Sequence, residues 1–283
     1  MSVSHLGGNR RNRLVPDSRV RIAIQSRDRC VAVEVFLMRA LTRRHLQAFG
    51  ALPRSASVAN ARLRKLFDAG FVRRAFVPRG AYSTEAVYVI GRAAIAEIVA
   101  ETGMSASEVQ RLAGKGVPAF LEHCILCAEV REICQRFKPE AKWLSEVECR
   151  HEFSLRSARG TEQFIFKPDG ALLSIEAEAS VCFFEIDRGC VGIRQFEHAC
   201  RTYARYFASS ALQTHYESRR GLAACVTTGG ERRIRHLMQA AERANLPMRF
   251  ATFQELRCLG PDAPIWRLNG LSEPHGLDVE VQR

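Results

Sequence analysis

The 283-residue chain has no long hydrophobic run. Residues 1–29 are polar and basic and contain no apolar segment of the kind that forms the centre of a signal peptide. No later run approaches the length of a membrane span. These absences predict a cytoplasmic protein with no membrane partner. In that reducing compartment we expect the ten cysteines to be free thiols, mostly buried as small hydrophobic side chains.

The chain also lacks a second pair of metal ligands to accompany its C-x-x-C motif. Cys124 and Cys127 follow His123, but a structural zinc site usually needs another ligand pair at comparable spacing. The segment has helical apolar periodicity, so residues three or four apart share a helix face. We therefore predict that these cysteines pack in a helix, rather than bind zinc or act in redox chemistry.

Most of the chain carries no net charge. Residues 101–283 contain 24 basic and 24 acidic side chains, so the whole excess of +12 falls in residues 1–100, with 18 basic and 6 acidic. An excess confined to one segment is typical of a phosphate-binding surface. A basic, solvated face without a nucleic-acid partner is the alternative.

The same segment has the element order of a winged helix-turn-helix domain. We predict this domain over residues 28–103, after a flexible basic arm at residues 1–27. Its first helix starts at Asp28, Thr42 caps a short second helix that Gly50 ends, and Gly70 ends the third. A β-hairpin wing follows, with its second strand at residues 87–90, and a further helix runs to Ala100.

The third helix is predicted to be the recognition helix. One side carries an apolar stripe for docking, and the other carries basic and amide side chains suited to the major groove. Arginines near the tip of the wing would contact phosphates. The predicted DNA-binding residues are Ser57, Asn60, Arg62, Arg64, Lys65, Arg73, Arg74 and Arg79. Because winged helices also bind proteins, a protein partner stays open as the alternative.

Beyond a connecting segment at residues 102–117, helices alternate with β-branched runs. This alternation predicts an α/β (α+β) sandwich over residues 118–270, followed by a disordered tail at 271–283. The expected helices are 118–137, 193–209 and 231–244, and the expected strands are 143–150, 164–166, 172–176, 181–186, 221–228, 248–252 and 265–268.

Three acidic residues form the candidate catalytic set of this domain. Asp169 lies in a turn between two strands, and Glu185 and Asp187 alternate at the end of an apolar strand, so both point to one face. Acids placed in this way need a cation nearby, which is either a metal ion or an Arg or Lys side chain. Oxygen ligands suit Mg²⁺ or Mn²⁺.

The pattern around these acids is similar to the restriction-endonuclease-like core, in which PD is followed by (D/E)-x-K. The resemblance implies that Asp169 and Glu185 hold a divalent cation, which would activate water and stabilise a charged phosphate transition state. Asp187 stands where the motif has its lysine. Arg188, Arg194 or His198 could replace that lysine, although arginine is a poor proton acceptor. The alternative is that Asp187 and Arg188 pair and cap the turn.

Both halves together resemble the replication-relaxation family of plasmid and mobile-element proteins. The resemblance covers roughly residues 29–244. It depends on an L-x-x-L-x-x-x-G-x-V-x-R element starting at Leu63, a helix beginning near His123, a PDG turn at 168–170, a strand ending in E-x-D-R-G at 185–189, and a helix containing Tyr203. It implies a role in plasmid replication or DNA relaxation, without a definite reaction.

We therefore expect a DNA-binding protein of a plasmid or mobile element, with double-stranded DNA as its partner. The winged helix would bind the duplex, and the nuclease-like domain would serve assembly or act on DNA. A second copy of the chain or other mobile-element proteins are the protein partners left open. The alternatives are a divalent-metal-dependent endonuclease and a winged-helix transcription regulator.

Overall fold

The computed structural model describes residues 15–17, 20–79, 83–113, 120–157, 160–173, 180–218, 220–269, 271 and 273–277. The chain divides into two compact units, Met1–Ala128 and Glu129–Arg283. Helices and strands are mixed in both units, which confirms the predicted α/β (α+β) class. Among the described residues, no helix has both the length and the apolar composition needed to cross a bilayer.

The first unit has the predicted order of helices followed by a hairpin. Its three strands form an antiparallel sheet in the order β1-β3-β2. The elements are α1 (Ser26–Leu37), β1 (Leu41–Thr42), α2 (Arg43–Ala48), α3 (Ala56–Asp68), β2 (Val72–Arg79), β3 (Ser83–Ile90), a 3-10 turn (Arg92–Ala94), α4 (Ile95–Thr102) and α5 (Ala106–Ala113). Helix α6 (Leu121–Phe137) starts in this unit and ends in the second.

Local signals in the sequence fix the short helices of this unit. The Thr42 hydroxyl accepts a hydrogen bond from the backbone N–H of His45 (3.3 Å) and so caps α2 as predicted. Gly70 follows α3 with a φ of 73°, a left-handed conformation that glycine adopts without steric cost. The chain can therefore turn directly from α3 into β2.

A buried ion pair joins α1 to α3. Asp28 is fully buried, and its Oδ1 accepts from Nε of Arg62 at 2.7 Å, while its Oδ2 accepts from Arg62 Nη2 and from the backbone N–H of Gln25. Burial raises the pKa of Asp28, but these hydrogen bonds outweigh it and hold the pKa below its usual value. The pair fixes the position of α3 against the body of the first unit.

The second unit is built on a five-stranded sheet in the order β10-β9-β8-β7-β4. Strands β8, β9 and β10 pair in parallel, whereas β7 pairs antiparallel with both of its neighbours, β8 and β4. A separate hairpin pairs β5 with β6. The elements are β4 (Lys142–Ser145), α7 (Glu146–Cys149), β5 (His151–Ser157), β6 (Gly160–Phe166), β7 (Gly170–Leu173), β8 (Ser180–Asp187), α8 (Ile193–Ala208), α9 (Ala211–Tyr216), β9 (Arg220–Thr227), α10 (Glu231–Arg243), β10 (Met248–Thr252) and α11 (Phe253–Leu259).

Helices α8 and α10 lie on one face of this sheet and enclose the main core of the unit. Phe183 and Cys225 contribute from the central strands, Tyr203 and Tyr206 from α8, and Leu237 from α10. All ten cysteines of the chain are free thiols, and seven of them are buried. For Cys134, burial raises the pKa to about 12, which keeps that thiol neutral.

Two predicted strands differ from the structure. The strand expected at 143–150 ends at Ser145, because the Glu148 carboxylate accepts from the backbone N–H of Ser145 (2.8 Å) and starts α7 there. The strand expected at 265–268 is wrong, since only single bridges form, between Phe250 and Arg267 and between Trp266 and His275.

Other elements were missed or misjudged. Strand β5 and the short helices α9 and α11 were not predicted. The disordered tail is wrong for residues 273–277, where His275 exchanges two backbone hydrogen bonds with Trp266 (2.9 and 3.0 Å) and Leu277 is buried. The two bonds join residues nine positions apart, outside the named helices and strands, so the local sequence pattern does not report them.

The ion pair between α1 and α3 predicts a pH-dependent loss of stability. Asp28→Asn leaves the Arg62 guanidinium without its counter-charge, and removing one partner of a buried pair typically costs about 3 kcal/mol. Since the pKa of Asp28 is lowered, the pair stabilises the fold above the unfolded-state pKa of about 3.9, and that contribution is lost as pH falls through the folded pKa. Urea titrations at pH 7 and pH 3 measure both effects.

The matched control is Glu101→Gln, which removes an exposed carboxylate 3.8 Å from Arg29. An exposed pair of this kind contributes less than about 1 kcal/mol. Equal losses for the two variants, or a loss for Asp28→Asn that does not shrink in acid, would contradict the assignment.

Candidate nucleic-acid interface and carboxylate site

The solvent face of α3 carries part of the predicted recognition surface. Ser57, Asn60 and Lys65 are exposed, and the Ser57 hydroxyl lies 3.1 Å from that of Ser55. Leu63 and other apolar residues of α3 are fully buried on the other side. The helix therefore presents amide, hydroxyl and ammonium groups outward, as contacts with base edges and phosphates require.

The two arginines of α3 differ in what they contact. Arg62 is engaged by Asp28, also donates to the backbone carbonyl of Ala23 (3.1 Å), and has a side chain only 12% exposed. Arg64 forms an i,i+4 ion pair with Asp68 (2.8 Å) and is 39% exposed. These contacts favour a structural role for Arg62, whereas the guanidinium of Arg64 lies at the rim of the solvent face.

Two of the three arginines expected near the tip of the hairpin are at its base. Arg73 and Arg74 pair with Val89 and Tyr88, at the end of the hairpin next to α3, so their expected position is wrong. Arg73 Nε donates to a backbone carbonyl of β3 (3.0 Å), and the Arg74 guanidinium lies 4.5 Å from the centre of the Phe67 ring. The backbone of Arg79 ends β2, but its side chain lies outside the described residues.

The C-x-x-C segment lies in α6, as predicted. His123 Nε2 and Cys127 Sγ are 3.6 Å apart on successive turns. Cys124 and Ile125 pack with Val87 and other buried side chains of the first unit. This environment is a small hydrophobic core.

The PDG turn lies between β6 and β7 and is hydrogen-bonded to the end of β8. The backbone N–H of Asp169 donates to the carbonyl of Phe184 (3.0 Å), and its Oδ2 accepts from the backbone N–H of Ile186 (2.7 Å). Its carboxylate thus extends the β7–β8 ladder by one bond. The glycine of the motif is required by packing, because a Cβ at Gly170 would lie 2.2 Å from the ring of Trp143.

Glu185 has a strongly raised pKa. The Tyr203 hydroxyl donates to its Oε1 at 2.8 Å from the buried face of α8. Burial and the charge of Asp169 raise the pKa of Glu185 well above its usual value, and the bond from Tyr203 and the charge of Lys167 only partly oppose this. Two neighbouring carboxylates therefore share a site that disfavours a second negative charge.

Two further ionisable residues belong to this site and were not predicted. Glu146, at the start of α7, also raises the pKa of Glu185, and it forms an ion pair with Lys167 (3.1 Å). Lys167 precedes the PDG turn by one residue. Lys167 lies two residues before Asp169 in the K-P-D-G sequence. From this position it could have been chosen as a candidate replacement for the lysine of the (D/E)-x-K motif.

Asp187 is paired with an arginine of α10. Its two carboxylate oxygens accept from Nη2 and Nε of Arg233 (2.7 and 2.9 Å), and one also accepts from the Thr227 hydroxyl (2.7 Å). Burial raises the pKa of Asp187, but the bonds from Arg233 and Thr227 outweigh it and hold the pKa below its usual value. The bidentate partner is thus Arg233, which sequence reasoning did not consider.

The expected substitutes for the motif lysine are not equivalent in position. Arg194 and His198 are exposed on α8, on the side away from the buried Tyr203 that contacts Glu185. Arg188 is half-buried in the turn after β8. Gly189 next to it has a φ of 75°, which accounts for the glycine at the end of the E-x-D-R-G pattern.

Comparison with known families gives one match. A family model described as replication-relaxation matches residues 37–221, which is well over half of the chain. No curated protein and no solved structure matches the chain.

Replacing the carboxylates of Glu185 and Asp187 with amides should change the stability of the fold in opposite directions. Glu185→Gln should stabilise the fold at pH 8, because a raised folded pKa means that ionisation opposes folding as pH rises. Asp187→Asn should destabilise by about 3 kcal/mol, because it leaves a largely buried arginine unpaired. Its effect should fade in acid, since a lowered folded pKa confers stability that is lost as pH falls through it.

Urea titrations from pH 4 to pH 8 without divalent cations measure both changes. The amide introduced by Glu185→Gln keeps an oxygen that can accept from Tyr203, so the comparison isolates the charge. A Glu185→Gln variant that is less stable than the wild type at pH 8 would show that the second carboxylate is not under repulsion.

Proposed function

The chain belongs to the replication-relaxation family, and from this premise we propose that it is a DNA-binding protein of a plasmid or mobile element that binds duplex DNA through its first unit. Membership of the family supports a role in the replication of such an element. The proposal treats the helices and hairpin of this unit as a winged helix, with α3 as the recognition helix.

The main support for the proposal is the contrast between the buried inner face of α3 and its polar, basic outer face. Its inner face is buried, and the Asp28–Arg62 pair joins it to α1, which sets the orientation of α3 within the first unit. Its outer face bears Asn60 and Lys65 in a segment that contains the whole basic excess of the chain. Such a face offers amide donors and acceptors to base edges and a cation to phosphates.

Duplex binding should depend on the outer cations of α3. Arg64→Ala with Lys65→Ala should weaken binding and lower the slope of log affinity against log salt by about 1.8, since each lost phosphate contact accounts for roughly 0.9. Gel-shift titrations at several salt concentrations, with the full-length chain, measure the slope.

The matched control removes two exposed cations from other parts of the same unit, with Arg92→Ala and Arg111→Ala. This variant should keep the wild-type slope. If both double variants lose the same affinity, the effect reflects overall charge, and α3 is not the recognition helix.

The carboxylate site supports a second candidate function, a divalent-metal-dependent endonuclease. The donor set fits such an ion: Asp169 and Glu185 are neighbouring oxygen ligands whose mutual repulsion a cation would relieve, and Glu146 is a third acid near Glu185. A bound Mg²⁺ or Mn²⁺ would supply Lewis-acid activation of water. In this arrangement Tyr203 orients Glu185, Lys167 offers a proton-transferring group, and Asp187 takes no part.

Thermal melts with and without Mg²⁺ test this candidate, together with a plasmid-nicking assay. The wild type should gain melting temperature with the ion by mass action, and Asp169→Asn and Glu185→Gln should lose the gain. Asp187→Asn is the control and should keep it, despite a lower starting melting temperature, because Asp187 is already paired with Arg233. A wild type that neither gains stability nor nicks DNA would leave the site without a metal function.

A further inference from the structure

Two helices of the second unit place arginines side by side at the surface. Helices α8 and α10 pack against each other on one face of the five-stranded sheet, and each buries one side in the core. Their opposite sides face solvent. Because both helices lie on the same sheet face, their exposed sides form one continuous surface, called here the α8–α10 face.

On α8 the basic residues form a straight line. Arg194, His198, Arg201 and Arg205 follow one another at spacings of four, three and four residues, and all are exposed. Such spacings keep side chains on one side of a helix. At 1.5 Å per residue the line extends about 16 Å. Arg205 also lies over the Phe164 ring, 4.6 Å from its centre, which orients the end of the line.

Helix α10 adds a second line next to the first. Its exposed basic residues are Arg232, Arg235, His236 and Arg243. Glu197 on α8 joins the two lines, because its carboxylate accepts from Arg201 (2.6 Å) and from Arg243 (2.8 Å). This single acid between two arginines holds them in place and leaves the surrounding face positive.

The net charge of the second unit does not reveal the positive charge of the α8–α10 face. The second unit as a whole contains 22 basic and 21 acidic residues, so it is almost neutral. Helices α8 and α10 together carry seven arginines and three glutamates, although one of the arginines, Arg233, is paired with the buried Asp187. The fold therefore places a net positive charge on one surface of an almost neutral unit, which composition by segment does not show.

We propose that the α8–α10 face is a second nucleic-acid-binding surface, which contacts the phosphate backbone independently of the first unit. Arg194, Arg232 and Arg235 are exposed and have no carboxylate partner among the described residues, so their guanidinium groups are available to phosphates. The aromatic residues of α8 lie in or pack against the core, and α10 has none. Without aromatic platforms for bases, this surface binds without sequence preference.

The test uses the full-length chain and a random-sequence DNA duplex. Arg194→Gln with Arg235→Gln removes one cation from each helix and should lower the log–log salt slope by about 1.8, with a roughly equal effect on duplexes of different sequence. The control is Lys142→Gln with Arg156→Gln. Both control residues are exposed on strands, and Arg156 is on the hairpin face opposite to the core residues Phe153 and Leu155. The control should keep the wild-type slope.

Combining variants separates this proposal from the one on α3. In the Arg64→Ala, Lys65→Ala background, residual low-salt binding should remain, and adding Arg194→Gln and Arg235→Gln should remove it. If α3 does not bind DNA, the background variant binds like the wild type, and the added pair still lowers the slope.

An unchanged slope in every background would overturn the proposal, as would the same change in the control. Binding of an acidic protein that the α8–α10 variant abolishes, with DNA binding intact, would also overturn it and assign the face to a protein partner. Melting temperatures of the Arg194→Gln, Arg235→Gln variant and of its control, expected to match the wild type because the four residues are exposed, exclude unfolding as the cause.

Discussion

The ion pair between Asp187 and Arg233 organises the second unit. A buried carboxylate must be paired, because removal from water costs more than the fold can otherwise offset. Arg233 satisfies both oxygens of Asp187 and thereby fixes the start of α10 to the end of β8. Since residues one before and two after an inward-facing position point away from it, Arg232 and Arg235 are turned to solvent. The Asp187–Arg233 ion pair thus neutralises Asp187 and also orients the basic residues of the α8–α10 face.

Two acids separated by one residue consequently have opposite characters. Asp187 has a full set of donors and a lowered pKa, whereas Glu185 has one tyrosine donor, a neighbouring acid and a raised pKa. A pKa shift caused by burial together with a charged neighbour is common at functional sites. Asp187 is thus neutralised by Arg233, whereas Glu185 lies beside a second acid, Asp169.

The first unit shows a similar arrangement on helix α3. Arg62 is turned inward to Asp28 and positions α3, while Lys65 is exposed. In both units one arginine of a basic helix is paired with a buried acid, while other basic side chains of that helix are exposed. Counting basic residues therefore overstates the binding surface, because a cation that neutralises a buried acid is not available to phosphates.

The sequence by itself determined several local features: the caps at Thr42 and Gly70, the alternation that places Glu185 and Asp187 on one face, and the strand at Met248–Thr252. These follow from contacts within a few residues, which local patterns encode. Only the tertiary structure decided which arginine meets which acid, that Glu146 and Lys167 join Glu185, and that a neutral unit carries a basic face. Those outcomes depend on pairings between residues far apart in the chain, such as β4 with β7 and α8 with α10, and the energy of a charge is set by its neighbours in space.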